Sequence, residues 1–201
     1  MQAQIRFRMI SAFMLVVSVL ADNFVFAQAP PMSENYLLHG LNSSLHLFED
    51  LQRHWNDIIT TPLAKKQAVR SLRKLSGSLA VLADRKLAIA NNAIRASSDD
   101  GTYDLLAKEA NDLGKTIEEL RLHLHDVFKT LPDSYQSQAG KVQSDLSRGL
   151  YQKINSLEGI RALLRSGSVE ANDVVADAQK VANLALSMKE QIDTLITALA
   201  S

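Results

Sequence analysis

The stretch EELRLHLHDVF, residues 118–128, sets His123 and His125 one leucine apart, with Asp126 beside them. On a β-strand this alternation would place both imidazoles on one face, where they could hold a divalent ion. On a helix, residues two apart point about 200° away from each other and cannot grip one ion. The surrounding residues decide between the two. Tyr103, Leu106, Ala110, Leu113, Ile117, Leu120, Leu124, Val127 and Leu131 step alternately by three and four, which is a heptad seam. Leu120, Leu124 and Val127 are three successive members of it. The stretch is therefore read as helix, with His123 flanking the seam, His125 outside, and Glu119 the expected neighbour of His123.

A second set of histidines lies in HLFEDLQRH, where Asp50 stands four residues from both His46 and His54. A His–Asp pair at that spacing can bind a divalent metal on a helix surface. The three cannot share one ion, because His46 and His54 are about 12 Å apart along the axis. His39, Asn42, His46, Glu49, Arg53 and Asp57 fall opposite Leu41, Phe48 and Trp55, so a polar outer face is the simpler reading. A di-metal carboxylate bundle needs two E-x-x-H pairs, and none occurs after residue 27. No metal ligands, cofactor-binding residues or catalytic residues are assigned.

Lys66, Arg70, Arg73 and Lys74 form the third candidate. Their spacing puts them on one face of a helix, as a docking surface for an anionic partner: phospholipid headgroups, lipopolysaccharide or an acidic protein. The competing expectation is that they pair with acidic neighbouring helices. Aromatic residues that would stack on bases are not interleaved with them, so no nucleic acid is expected. A glycine-rich phosphate loop, H-E-x-x-H and G-x-S-x-G are all missing. Glu109, Asp112 and Glu119 alternate with Lys108 and Lys115 as surface ion pairs would.

The elements that must carry these residues are all helices. Apolar residues make up 46% of 201, enough for one domain with a sizeable core. Scarce glycine and proline disfavour a protein rich in tight turns. Lys+Arg and Asp+Glu are both 22, so global charge points to no polyanion. With no cysteine, thiolate-bound zinc, iron–sulfur clusters and covalent haem are excluded. The expected helices are 34–59, 62–97, 101–130, 133–165 and 168–199. Ser33, Thr61 and Ser168 are the expected N-caps, Pro62 a first helical residue, and Asp133 with Gln136 a capping box. The last helix repeats the heptad pattern from Ala171 through Val174, Ala178, Val181, Ala185, Met188, Ile192 and Leu195 to Leu199. In the second, Leu72, Leu75, Leu79 and Leu82 are in register but the next seam position is Lys86. The stripe is expected to drift there to Leu87, Ala90 and Ile94, with Gly77 as a bend. Helix charges alternate in sign, acidic first, which favours pairing between sequence neighbours.

The expected fold is thus all-α: an elongated antiparallel up-and-down bundle of about five helices. The N-terminus adds a location. Arg6 and Arg8 precede an uncharged apolar run from Met9 to Ala21, and Val25 and Ala27 have the spacing of a cleavage site. That run is shorter than the roughly 20 residues of a membrane-spanning helix. Residues 1–27 read as a secretory signal peptide, 28–33 as a flexible segment and 34–201 as the bundle domain. No transmembrane helix is expected after cleavage; an uncleaved anchor is the alternative. The function implied is that of an exported, periplasmic or secreted, non-enzymatic protein that binds another protein or an anionic envelope component: an adaptor, chaperone-like factor, secretion accessory or immunity-type protein. The alternative is a ligand-sensing or metal-handling bundle using the first-helix histidines. The two heptad helices leave homo-oligomerisation open.

Overall fold

A computed structural model describes residues 35–96, 102–155 and 171–200. Within them lie five α-helices, a 3-10 turn and no strand. The helices are α1 (Tyr36–Ile58), α2 (Pro62–Ala96), α3 (Thr102–Phe128), α4 (Asp133–Tyr151) and α5 (Ala171–Ala200), with the turn at Lys153–Asn155. The segments read as signal peptide and N-terminal spacer lie outside the described residues, as does Ser168.

The heptad seams become the core. In α3, Ala110, Leu113, Ile117, Leu120, Leu124 and Val127 are all buried, followed by Leu131; in α5 every seam residue from Val174 to Leu199 is buried. α1 adds Leu37, Leu41, Leu47, Phe48, Leu51 and Trp55. Leu38 and Leu45 beside them are only partly buried. Phe48 meets Phe128 with ring centroids 6.4 Å apart, which joins the middle of α1 to the end of α3.

Helix ends follow local polar chemistry, with two corrections. Thr61 Oγ1 accepts the Ala64 amide at 3.2 Å and Pro62 opens α2, as its spacing predicts. α1, however, starts at Tyr36 and is capped by Asn35, whose side-chain oxygen accepts the amides of Leu37 and Leu38. The expected capping box at Asp133 does not form either. Pro132 occupies the N-cap without a side-chain bond. Gln136 instead turns back and donates to the carbonyls of Phe128, the last residue of α3, and of Leu131 just beyond it.

The helix directions can be read from cross-helix pairs. Ser78 meets His123 and Arg85 meets Glu109, so α2 and α3 are antiparallel. Ser76 meets Asp193 and Lys86 meets Asp177, so α2 and α5 are antiparallel. Asn35 meets Asp177 and Glu49 meets Gln191, at one constant offset of 142 residues, so α1 and α5 run parallel. The packing order is α1, α5, α2, α3, α4, with α4 closing on α1. The expected side-by-side packing of α1 on α2 is wrong, because α5 is inserted between them. Charge explains part of the arrangement. Basic α2 has acidic α3 and α5 on either side, and α4 lies between acidic α3 and α1. The α1–α5 pairing joins two acidic helices and uses a Gln191 amide on Glu49 rather than an ion pair.

α4 ends at Tyr151, well before residue 165, where continuous helix was expected. Gln152 is extended (φ −69°, ψ 137°). Its side-chain oxygen accepts the Tyr36 amide at 2.8 Å, and Asn155 Nδ2 donates to the Gly149 carbonyl at 2.9 Å. Orphan groups of α1 and α4 are thus satisfied together. The approach here is close: a Cβ on Gly149 would stand 2.8 Å from the Leu37 nitrogen and 3.0 Å from its Cα. Only glycine admits that contact without moving the backbone.

Candidate functional site

α2 is unbroken from Pro62 to Ala96, passing through Gly77 without interruption. Its outward side is set by the helical repeat: with Leu72, Leu75, Leu79 and Leu82 facing inward, Lys66, Arg70, Arg73 and Lys74 face out. All four are exposed, and among the described residues no acidic side chain pairs with any of them. On the flanking helices Glu109, Asp112 and Asp193 are engaged elsewhere, while Glu119 and Asp126 on α3 and Glu190 on α5 are exposed and form no ion pair among the described residues. On α3, Glu109 and Asp112 hold Arg85 at 3.0 and 3.4 Å, and Asp112 also meets Lys115 at 3.5 Å. The Glu109 hydrogen bond, against some burial, raises the Arg85 pKa. On α5, Asp193 receives Lys189 and the Ser76 hydroxyl, the latter at 2.6 Å. Burial pushes the Asp193 carboxyl up, but those two hydrogen bonds outweigh it and the net direction is down. The four sequence-assigned residues therefore lie on one open face, and among the described residues no ion pair joins them to α1 or α3.

Further along α2 the same chemistry is turned inward. Lys86 is 1% exposed. It continues the seam of Leu75, Leu79 and Leu82, with Ile89, Ala90 and Ala93 buried after it. The expected drift of the stripe to Leu87 does not occur: Leu87 is 39% exposed, while the side chain of Ile94 lies outside the described residues. Lys86 Nζ donates to Asn155 Oδ1 at 2.7 Å and to Asp177 Oδ2 at 3.4 Å. Asp177 Oδ1 takes a further short hydrogen bond from Asn35 Nδ2. Burial lowers the Lys86 pKa from its ordinary value, and the charge and hydrogen bond of Asp177 oppose that shift. The cluster ties together the start of α1, the 3-10 turn after α4, the first turns of α5 and the middle of α2. Sequence reasoning registered Lys86 as a break in the stripe. The signal that could have found the cluster was a lysine at a seam position, which demands a buried acid.

The histidines do not assemble. His123 is half-buried and hydrogen-bonded to the Ser78 hydroxyl at 2.6 Å, while His125 is exposed, so the two point apart as the helix requires. Glu119 is exposed and is not the partner of His123. On α1, His46 engages Glu49 at 3.1 Å and His54 folds onto the Asp50 carbonyl at 3.1 Å. The His46 hydrogen bond, with one from Gln191, lowers the Glu49 pKa. Among the described residues no three acidic or histidine side chains converge as a metal site.

Surface depressions lined by Ala88, Asn91, Asn92 and Arg95, and by Leu186, Lys189, Glu190 and Asp193, are shallow and open to solvent. Ser71 and Lys74 have S-x-x-K spacing, but Lys74 is exposed and no hydrogen bond joins the pair. Among the described residues no helix is long and apolar enough to cross a membrane. The chain matches no protein-family model, no curated protein and no solved structure.

Proposed function

We propose that this chain is an exported, non-enzymatic interaction protein. Its contact surface is the outer face of α2 around Lys66, Arg70, Arg73 and Lys74. It takes a protein or envelope component that presents negative charge. The observation that carries this reading is a set of four cations on one open face, with no acidic partner among the described residues. Export rests on the basic, apolar and small-residue order of residues 1–27, and is consistent with a cysteine-free fold held by packing. The binding classes that fit are an adaptor, a chaperone-like factor, a secretion accessory or an immunity-type protein.

The test is crosslinking in the native envelope. The full chain is compared with the variant Lys66→Glu/Arg70→Glu/Arg73→Glu/Lys74→Glu. The expected result is a discrete crosslinked product that disappears in the variant, while circular dichroism shows the same helix content. An unchanged crosslinking pattern would remove this face as the contact surface.

A further inference from the structure

We infer that the α2 face docks onto the plane of an anionic phospholipid bilayer. This deepens the proposed interaction reading and rests on it. The argument is one of shape. Lys66 and Lys74 are about 12 Å apart along the axis, with Arg70 and Arg73 between them. They stand on the outside of a helix, so their side chains diverge from a convex ridge. A small anion needs donors that converge in a hollow, and this ridge has none. A flat array of phosphodiesters meets all four cations at once, and the two guanidiniums can each take a phosphate through paired N–H groups.

The same face carries apolar residues placed for such a surface. Leu63 is 67% exposed and Val81 is 44% exposed. Leu63, Lys66, Arg70, Lys74, Gly77 and Val81 follow one another at helical spacing, so the cations are bracketed by apolar side chains. At Gly77 a Cβ would meet nothing within 4 Å, so the ridge is open to the approach of a plane. Asp84, exposed one turn beyond Val81, ends the basic stretch. Lys+Arg and Asp+Glu balance over the chain at 22 each, so net charge supplies no general attraction and the local cluster orients docking.

The absence of cysteine makes the test specific, because each introduced thiol is unique. Full chains carrying Leu63→Cys or His46→Cys are labelled with an environment-sensitive dye; His46 lies on α1, which α5 separates from α2. Each is mixed with phosphatidylglycerol vesicles, with phosphatidylcholine vesicles and with polyglutamate, the last standing for an acidic protein. The expected result is a blue shift at position 63 with phosphatidylglycerol only, and none at 46. Partitioning should fall about five-fold for each cation replaced by glutamine. It should also disappear between about 0.05 and about 0.5 M salt. A shift at both positions, or with phosphatidylcholine, would mean that the apolar run at 9–21 drives binding and would overturn the inference. A response to polyglutamate alone overturns the membrane as partner and keeps the docking face. No response to either anion removes both.

Discussion

α2 carries cations in two ways. Its first half sets Lys66, Arg70, Arg73 and Lys74 in solvent with no acidic partner among the described residues; twelve residues after Lys74, Lys86 is enclosed, with Asn155 and Asp177 on its ammonium. The residue chemistry is the same and only the angular position differs. Around Lys66–Lys74 the cations fall opposite the leucine stripe. Lys86 falls on the stripe itself. Removing an exposed charge leaves water in its place, whereas removing Lys86 leaves a buried carboxylate without its countercharge. One half of α2 is thus free to serve binding, and the other is committed to holding the fold.

The largest expected effect comes from breaking the buried half. Lys86→Met keeps side-chain bulk but strands Asp177, and it should destabilise the protein by about 3 kcal/mol in urea unfolding. The double variant Lys86→Met/Asp177→Leu should recover at least half of that loss, since an apolar pair can replace a buried ionic one. A loss below about 1 kcal/mol in the single variant would show that the cluster does not hold this end together.

The same lysine gives a pH dependence of definite sign. Its folded pKa is lowered below the ordinary 10.5, first by burial. Between those two values the unfolded chain binds more protons, so this group's contribution to stability rises with pH and is lost as pH falls through the folded pKa. The stability of wild type relative to Lys86→Met should therefore increase as pH climbs toward 10.5. A flat or falling difference would contradict the burial.

Gly149→Ala comes next. Its Cβ would run into Leu37 backbone, which cannot rotate away, so α1 must shift from α4 near the Asn35 cap; about 1–3 kcal/mol should be lost. Gly77→Ala on the open half should do the opposite. With nothing near its Cβ, it should gain about 0.5–1 kcal/mol from helix propensity. Opposite signs for the same substitution would sharpen the contrast between the buried and open regions, and matching signs would break it. The smallest stability effect should follow Lys66→Glu/Arg70→Glu: within about 0.5 kcal/mol, read in the same urea titrations.

Much of the fold was legible because a core seam repeats. In α3 and α5 the three–four steps name the buried residues correctly wherever their side chains are described, since a helix that must bury one stripe has few other ways to write it. The basic face was legible for the same reason, as the complement of the leucine stripe. The buried cluster was not. Asn35, Lys86, Asn155 and Asp177 lie on four separate segments, and no spacing within any of them signals the others. The early end of α4 was hidden similarly, because Gln152 and Asn155 leave the helix to satisfy groups on α1, α2 and α4 itself.

Taken alone, the amino-acid order determined that the described segments are helical, where their helices lie to within a few residues except at the end of α4, and which face of each is wet. Those properties come from periodicity, which is local. Tertiary structure decided that α5 is inserted between α1 and α2, and that Lys86 stays on the seam rather than displacing it. Both outcomes follow from pairing across long sequence distance: a lysine can remain in the core only where another helix delivers a carboxylate to meet it.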